Sequence, residues 1–124
     1  MLRVELSSNG RFNIPEYGTV EDPDQFRALY AYSPYHNVED GVSYPAVLFL
    51  TGANDPRVDP MQSRKMTARL QAATSSDVPI VLRTSGDTGH GGLPLSEKIE
   101  QIVDVYGFIF DRLGIEFQER SSGP

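Results

Sequence analysis

The sequence predicts an α/β fold in which parallel strands are joined by crossover helices. Two short apolar runs, residues 45–51 and 79–83, predict strands, and the first is nearly unbroken, as in a strand buried on both faces. A segment of helical periodicity follows each run, the second over residues 94–113. This alternation favours parallel pairing, and ligands of such sheets bind beyond the carboxyl ends of the strands.

The helices are predicted from the spacing of their apolar residues. Met66, Leu70 and Ala73 stand at i, i+4 and i+7 and therefore share one face of the first crossover helix. In the last helix, Tyr106, Phe108 and Phe110 are interpreted as packing residues, and Gly114 is placed to end the helix. A shorter helix is predicted to open at Asp22 and to end before Pro34.

One aspartate and one histidine lie just beyond the two predicted strands. Asp55 stands in the turn after the first strand, and His90 stands in a glycine-rich loop after the second. Acid before base is the chain order of the Ser-Asp-His triad in α/β-hydrolases. The 124 residues contain no Gly-x-Ser-x-Gly motif, so the pattern predicts the acid and the base of a triad without its nucleophile.

Each candidate residue has an alternative interpretation. Asp55 could only shape its turn, and Asp87, close to His90, could orient the imidazole in its place. Arg57, two residues after Asp55, could be an ordinary surface ion-pair partner. His36, which stands between Tyr35 and Asn37, is predicted to be a structural, hydrogen-bonded histidine.

Cofactor and metal sites receive little support. Residues 86–92 could cradle a phosphate, but their glycines do not follow the Gly-x-Gly-x-x-Gly spacing and no Gly-Lys-Ser/Thr follows. The two histidines, His36 and His90, stand far apart in the sequence for metal ligands. We therefore predict no cofactor and no metal.

Composition narrows the classes of partner. A net charge of −6 argues against nucleic acid and anionic membranes. With no cysteine, the chain has neither a disulfide framework nor a thiolate nucleophile. No signal peptide or membrane span is visible, so we expect a soluble protein, cytoplasmic or periplasmic, with the compartment left open.

Four stretches carry a resemblance to a known family: residues 32–38 (YSPYHNV), 44–51 (YPAVLFLT), 54–58 (NDPRV) and 89–91 (GHG). Over nearly its whole length, the chain resembles the C-terminal part of the catalytic domain of the prolyl oligopeptidase (prolyl endopeptidase) family. These are serine peptidases with an α/β-hydrolase fold. The resemblance assigns residues 1–117 to that domain, and the last residues, 118–124, are predicted separately to be a flexible tail.

The resemblance also implies roles and partners. Asp55 would be the triad acid, His90 the triad base, and Arg57 a substrate-binding residue. The substrates would be short peptides cleaved after proline. The partners would be the N-terminal part of the same catalytic domain, with the serine, and a propeller domain. Met1 would then not be a true start, and this chain alone would be inactive. The alternative is a non-catalytic hydrolase remnant that serves as a binding module.

Overall fold

The computed structural model describes residues 2–7, 9–86 and 89–116 of the chain. The chain divides into two compact units, residues 1–92 and residues 93–124. The described part of the first unit holds a two-stranded sheet, and that of the second holds one long helix.

Two parallel strands form the centre of the first unit. Strand β1 spans Val47–Gly52 and strand β2 spans Ile80–Ser85. The strands pair in parallel, and their last residues, Gly52 and Ser85, stand opposite each other. The loops that follow the two strands therefore leave from the same edge of the sheet. The predicted parallel pairing is confirmed.

Both strands begin slightly later than their apolar runs. The runs start at Pro45 and Pro79, whereas the strands start at Val47 and Ile80. A proline has no N–H to give to a strand ladder, so pairing begins after it. Pro79 still contributes its carbonyl, which accepts a hydrogen bond from the N–H of Val47 at 3.0 Å.

Helix α3, Met61–Ala73, connects the strands and covers one face of the sheet. Leu70 and Ala73 are 5% and 2% exposed and pack against Ile80 of β2. Met66 packs at the margin of this cluster, so the predicted apolar face of the helix is confirmed. Val38 also belongs to this cluster, and Tyr44, Val47 and Phe49 are partly buried against it.

Short helical segments precede the sheet. In order they are a 3₁₀ turn at Val4–Leu6, a second at Gly10–Asn13, helix α1 at Ile14–Tyr17, helix α2 at Pro23–Tyr32 and a 3₁₀ turn at Pro34–Asn37. The start of α2 is capped as predicted, because the Asp22 carboxylate accepts the N–H groups of Asp24 and Gln25, each at 2.9 Å. Asn9 stands at the N-cap of the second 3₁₀ turn.

The second unit contains helix α4, Leu95–Leu113. It ends as predicted at Gly114, whose φ of +64° is a left-handed conformation that glycine adopts without strain. Within the described residues, no helix is both long and apolar enough to cross a membrane. The predicted tail, residues 118–124, lies outside the described residues.

Candidate active site

The loop after β1, residues 53–60, carries Asp55 and is called the acid loop below. The Asp55 oxygen Oδ1 accepts hydrogen bonds from the backbone N–H groups of Arg57 at 2.8 Å and Val58 at 2.9 Å. This is the local turn that aspartate forms with residues ahead of it. Both bonds use one oxygen, which leaves Oδ2 for another partner.

That partner is His90, in the loop after β2. The distance between His90 Nδ1 and Asp55 Oδ2 is 2.8 Å, although 35 residues separate them in sequence. The two loops lie close together here, since a Cβ atom on Gly89 would be 3.6 Å from Pro56 Cδ. The parallel pairing explains this meeting, because both loops begin at the same edge of the sheet.

The contact determines which nitrogen of His90 is available. An ionised carboxylate can only accept, so the proton between the two groups belongs to Nδ1 when the ring is neutral. Nε2 then keeps its lone pair. The His90 side chain is 45% exposed and that of Asp55 only 12%, so the imidazole is reachable while the carboxylate behind it is sheltered.

The surroundings of Asp55 favour its ionised form. The N–H of Val58 lowers the pKa of the Asp55 carboxyl below its ordinary value of 3.8, and the hydrogen bonds from His90 and the N–H of Arg57 lower it further. Partial desolvation raises the pKa and opposes this, but the net direction is downward. Asp55 is therefore ionised over the neutral pH range.

Arg57 lies on the same loop and lines a cavity. The cavity measures about 490 Å³ and is bounded by Asn9, Phe12, Asn13, Arg57 and Val58. Phe12 is 90% exposed there. Among the described residues Arg57 has no ion-pair partner, so the alternative of a surface ion pair gains no support.

His36 belongs to a different contact. Its Nδ1 lies 2.8 Å from the hydroxyl oxygen of Ser33, and its ring packs beside Tyr30 and Tyr35. Ser33 is fully buried, so a substrate cannot reach this hydroxyl. Burial lowers the pKa of His36, and the charge of Lys65 lowers it further. His36 is thus the hydrogen-bonded, structural histidine that the sequence predicts.

Asp87 lies outside the described residues, so the structure offers no geometry for it as a rival to Asp55. Across residues 2–7, 9–86 and 89–116, no three histidine, aspartate or glutamate side chains gather as metal ligands would. The sequence missed the position of Asn9 beside the acid loop, and no local signal could have revealed a partner 47 residues away.

Comparison with known proteins agrees with the resemblance. The family model described as "Prolyl oligopeptidase family" matches residues 4–116. This chain belongs to the prolyl oligopeptidase family. The expected family is therefore confirmed, on a match that covers both the acid loop and the loop of His90.

Curated members of the prolyl oligopeptidase family are similar to this chain over nearly its whole length. The prolyl endopeptidase of Dictyostelium discoideum is 36% identical over 120 residues, which are 94% of this chain and 16% of that protein. The prolyl endopeptidase of Elizabethkingia meningoseptica is 36% identical over 118 residues, 94% of this chain and 17% of that protein. The chain thus spans about a sixth of the length of these relatives.

Solved structures of the family share this fold. A prolyl endopeptidase analysed for inter-domain dynamics in catalysis and specificity superimposes with a TM-score of 0.88 at 44% identity, over 94% of this chain and 17% of that one. Prolyl oligopeptidase B from Galerina marginata, bound to a 35-residue substrate, gives a TM-score of 0.85 at 32% identity, over 96% and 17%. The two parallel strands and their crossover helix are thus part of an α/β-hydrolase fold, as predicted.

Proposed function

We propose that this chain supplies the acid and the base of a serine peptidase that cleaves peptides after proline. The nucleophilic serine would come from outside residues 1–124. The observation that carries the proposal is the 2.8 Å contact between His90 Nδ1 and Asp55 Oδ2. It occurs at the carboxyl edge of a parallel sheet, where such enzymes place their acid and base.

His90 is the proposed proton carrier. With Nδ1–H bonded to Asp55, Nε2 accepts the proton of the serine hydroxyl as that oxygen attacks the peptide carbonyl. Nε2 then gives the proton to the leaving amine, and a water molecule repeats the exchange to release the acyl group. Asp55 keeps the imidazole in the productive tautomer and stabilises the imidazolium while the proton is held.

Arg57 is the proposed substrate-binding residue. A guanidinium carries five N–H donors in a fixed planar arrangement and accepts no hydrogen bond, which suits a substrate carbonyl. Arg57 lines the cavity of about 490 Å³ and belongs to the same turn as Asp55. A peptide bound to Arg57 would therefore lie close to His90. Specificity for proline is proposed from the two curated relatives described above, both of which are named prolyl endopeptidases.

The solved relatives support a triad of the same residue types. Structures of prolyl oligopeptidase B from Galerina marginata hold substrates of 35 or 25 residues in three alanine mutants. The replaced residue is a serine in the first, a histidine in the second and an aspartate in the third. In our proposal this chain supplies the aspartate and the histidine, which are in contact, and a serine from outside residues 1–124 completes the triad.

A chimeric enzyme tests the proposal. Residues 1–124 would replace the matching segment of the Elizabethkingia meningoseptica prolyl endopeptidase, which keeps the host's own serine. We expect hydrolysis of a chromogenic Gly-Pro substrate, little hydrolysis of the matched Gly-Ala substrate, and loss of turnover in His90→Ala. The assignment of His90 as the base would be wrong if the His90→Ala chimera melts cooperatively and keeps its turnover.

A second measurement does not depend on assembling a chimera. In the 124-residue chain, ¹⁵N NMR of His90 at mildly alkaline pH should show a protonated Nδ1 and an unprotonated Nε2, and Asp55→Asn should disturb this preference. If Nε2 carries the proton in the wild-type chain, His90 cannot act as the base. The chain would then be better described as a binding module.

A further inference from the structure

Asn9 contacts the acid loop from a distant part of the sequence. Its side-chain amide donates a hydrogen bond to the carbonyl oxygen of Pro56 at 3.2 Å, and 47 residues separate the two. Pro56 stands between Asp55 and Arg57. The accepting carbonyl belongs to the peptide group that joins Pro56 to Arg57, so the bond acts on the backbone that carries Arg57.

Helix capping does not account for the Asn9 side chain. Asn9 occupies the N-cap position of the 3₁₀ turn Gly10–Asn13, where an asparagine commonly accepts an N–H of its own turn. No such bond forms here. The amide is directed to Pro56 instead, so its contact is with the acid loop and not with the turn it begins.

The backbone of Asn9 is firmly placed. The neighbouring Gly10 is buried, and a Cβ atom there would lie 1.6 Å from the carbonyl oxygen of Val4, which leaves no room for any side chain. The adjoining Glu5 is itself tied down, because its carboxylate accepts the N–H of Val20 at 2.6 Å. Asn9 therefore projects from a segment that is held by contacts within residues 4–20.

Asp55 and Arg57 depend on this bond to different degrees. Asp55 already has three bonds of its own, from His90 and from the N–H groups of Arg57 and Val58. Arg57 shares one of these bonds through its own N–H, but its exposed side chain has no ion pair among the described residues and lines the same cavity as Asn9. Loss of the Asn9 bond would therefore displace Arg57 more than Asp55.

We propose that Asn9 is a positioning residue for Arg57, holding the Pro56–Arg57 peptide so that the guanidinium keeps its place on the cavity wall. The proposal rests on the proposed function, in which Arg57 binds a substrate carbonyl. Asn9 itself touches no reacting atom and works through the loop.

The first test uses the chain itself. Asn9→Leu keeps the approximate size of the side chain and removes the donor. Asn13→Leu is the matched control, because Asn13 lines the same cavity and makes no side-chain hydrogen bond among the described residues. We expect the backbone amide resonances of Arg57 and Val58 to move in Asn9→Leu and to move much less in Asn13→Leu. Equal shifts in the two variants would overturn the proposal.

The second test is kinetic and uses the chimera. Asn9→Leu should raise KM for the Gly-Pro substrate about 2- to 10-fold, the range spanned by one hydrogen bond of ordinary strength, and change kcat less than about twofold. In an Arg57→Ala background the same substitution should leave KM unchanged, because the residue it positions is gone.

The outcomes separate this proposal from a structural role and from the proposed function. A merely structural Asn9 would lower Tm and multiply KM equally in both Arg57 backgrounds, and that result would overturn the proposal. Failure of the proposed function would appear elsewhere, as turnover that survives His90→Ala. If the chimera does not assemble, the comparison of Asn9→Leu with Asn13→Leu still decides the matter.

Discussion

At Asp55 the two oxygens of one carboxylate have different partners. Oδ1 accepts the N–H groups of Arg57 and Val58, which shapes the turn, and Oδ2 faces His90. The turn-forming and the proposed catalytic interpretations of Asp55 are therefore compatible. The turn fixes the carboxylate in the direction that the imidazole needs.

The first residue-scale prediction concerns Asp55→Asn in the chimera. An amide keeps the shape but loses the charge, and it can donate to the imidazole and so favour the wrong tautomer. The corresponding change in an unrelated triad protease lowers turnover about 10⁴-fold. We expect a loss in kcat of at least several hundred-fold here, on the same argument, with the circular dichroism spectrum unchanged.

Asp87→Asn is the matched comparison for that experiment. The two aspartates are the two sequence candidates for orienting His90; Asp55 contacts the imidazole, and Asp87 lies outside the described residues. We expect Asp87→Asn to change kcat far less than Asp55→Asn. The reverse ranking, with both variants folded, would make Asp87 the acid.

The second residue-scale prediction concerns acid stability. Hydrogen bonds lower the pKa of Asp55 in the folded chain below its ordinary value of 3.8. Their stabilising effect is complete above that ordinary value and is lost as the pH falls from there through the lowered folded pKa. Urea unfolding of the 124-residue chain from about pH 6 down to about pH 2.5 should show this loss. The Asp55→Asn variant should lose less unfolding free energy over the same pH range. If the free energy falls equally with pH in the two proteins, the prediction is wrong.

At the scale of elements, the contact between α3 and the sheet holds the first unit together. Leu70 is only 5% exposed and packs against Ile80. Truncating such a buried side chain leaves a cavity. Leu70→Ala should lower the free energy of unfolding by about 2–5 kcal/mol. Leu6→Ala is the control, because Leu6 is 74% exposed and should change the free energy by less than about 0.5 kcal/mol. Denaturant titration measures both.

At the scale of the whole molecule, the described sheet presents unpaired edges and an apolar surface. It has two strands, and its face away from α3 carries Leu50 and Val81, which are 42% and 38% exposed. Strand edges and apolar patches of this kind promote association between chains. The family relatives are about six times longer than this chain. We propose that, in those relatives, the additional segments cover the surface that corresponds to this one.

We therefore expect the 124-residue chain to self-associate and to melt over a broad temperature range. Leu50→Arg should reduce the association, because it places a charge on the exposed face of the sheet, whereas Leu6→Arg, which is far from the strands in sequence, should not. Sizing chromatography at several concentrations and a thermal melt measure both effects. A sharp, reversible, monomeric transition in the wild-type chain would contradict this expectation.

The sequence by itself determined the two strands, helices α2, α3 and α4, the parallel pairing and the two candidate residues beyond the strands, but not helix α1 or the 3₁₀ turns. Apolar runs and helical spacing are local signals, and the order of strand and helix restricts how the strands can pair. The absence of a Gly-x-Ser-x-Gly motif could also be read directly. The roles of Asp55, Arg57 and His90 stay predictions until the experiments above are done.

Only the tertiary structure decided which groups meet. The 2.8 Å contact between Asp55 and His90 spans 35 residues, and the bond from Asn9 to Pro56 spans 47. No local pattern encodes either distance, because each follows from how the sheet register and the packing around Gly10 bring separate segments together. For the same reason, nothing local in the sequence marks Asn9 as a partner of the acid loop.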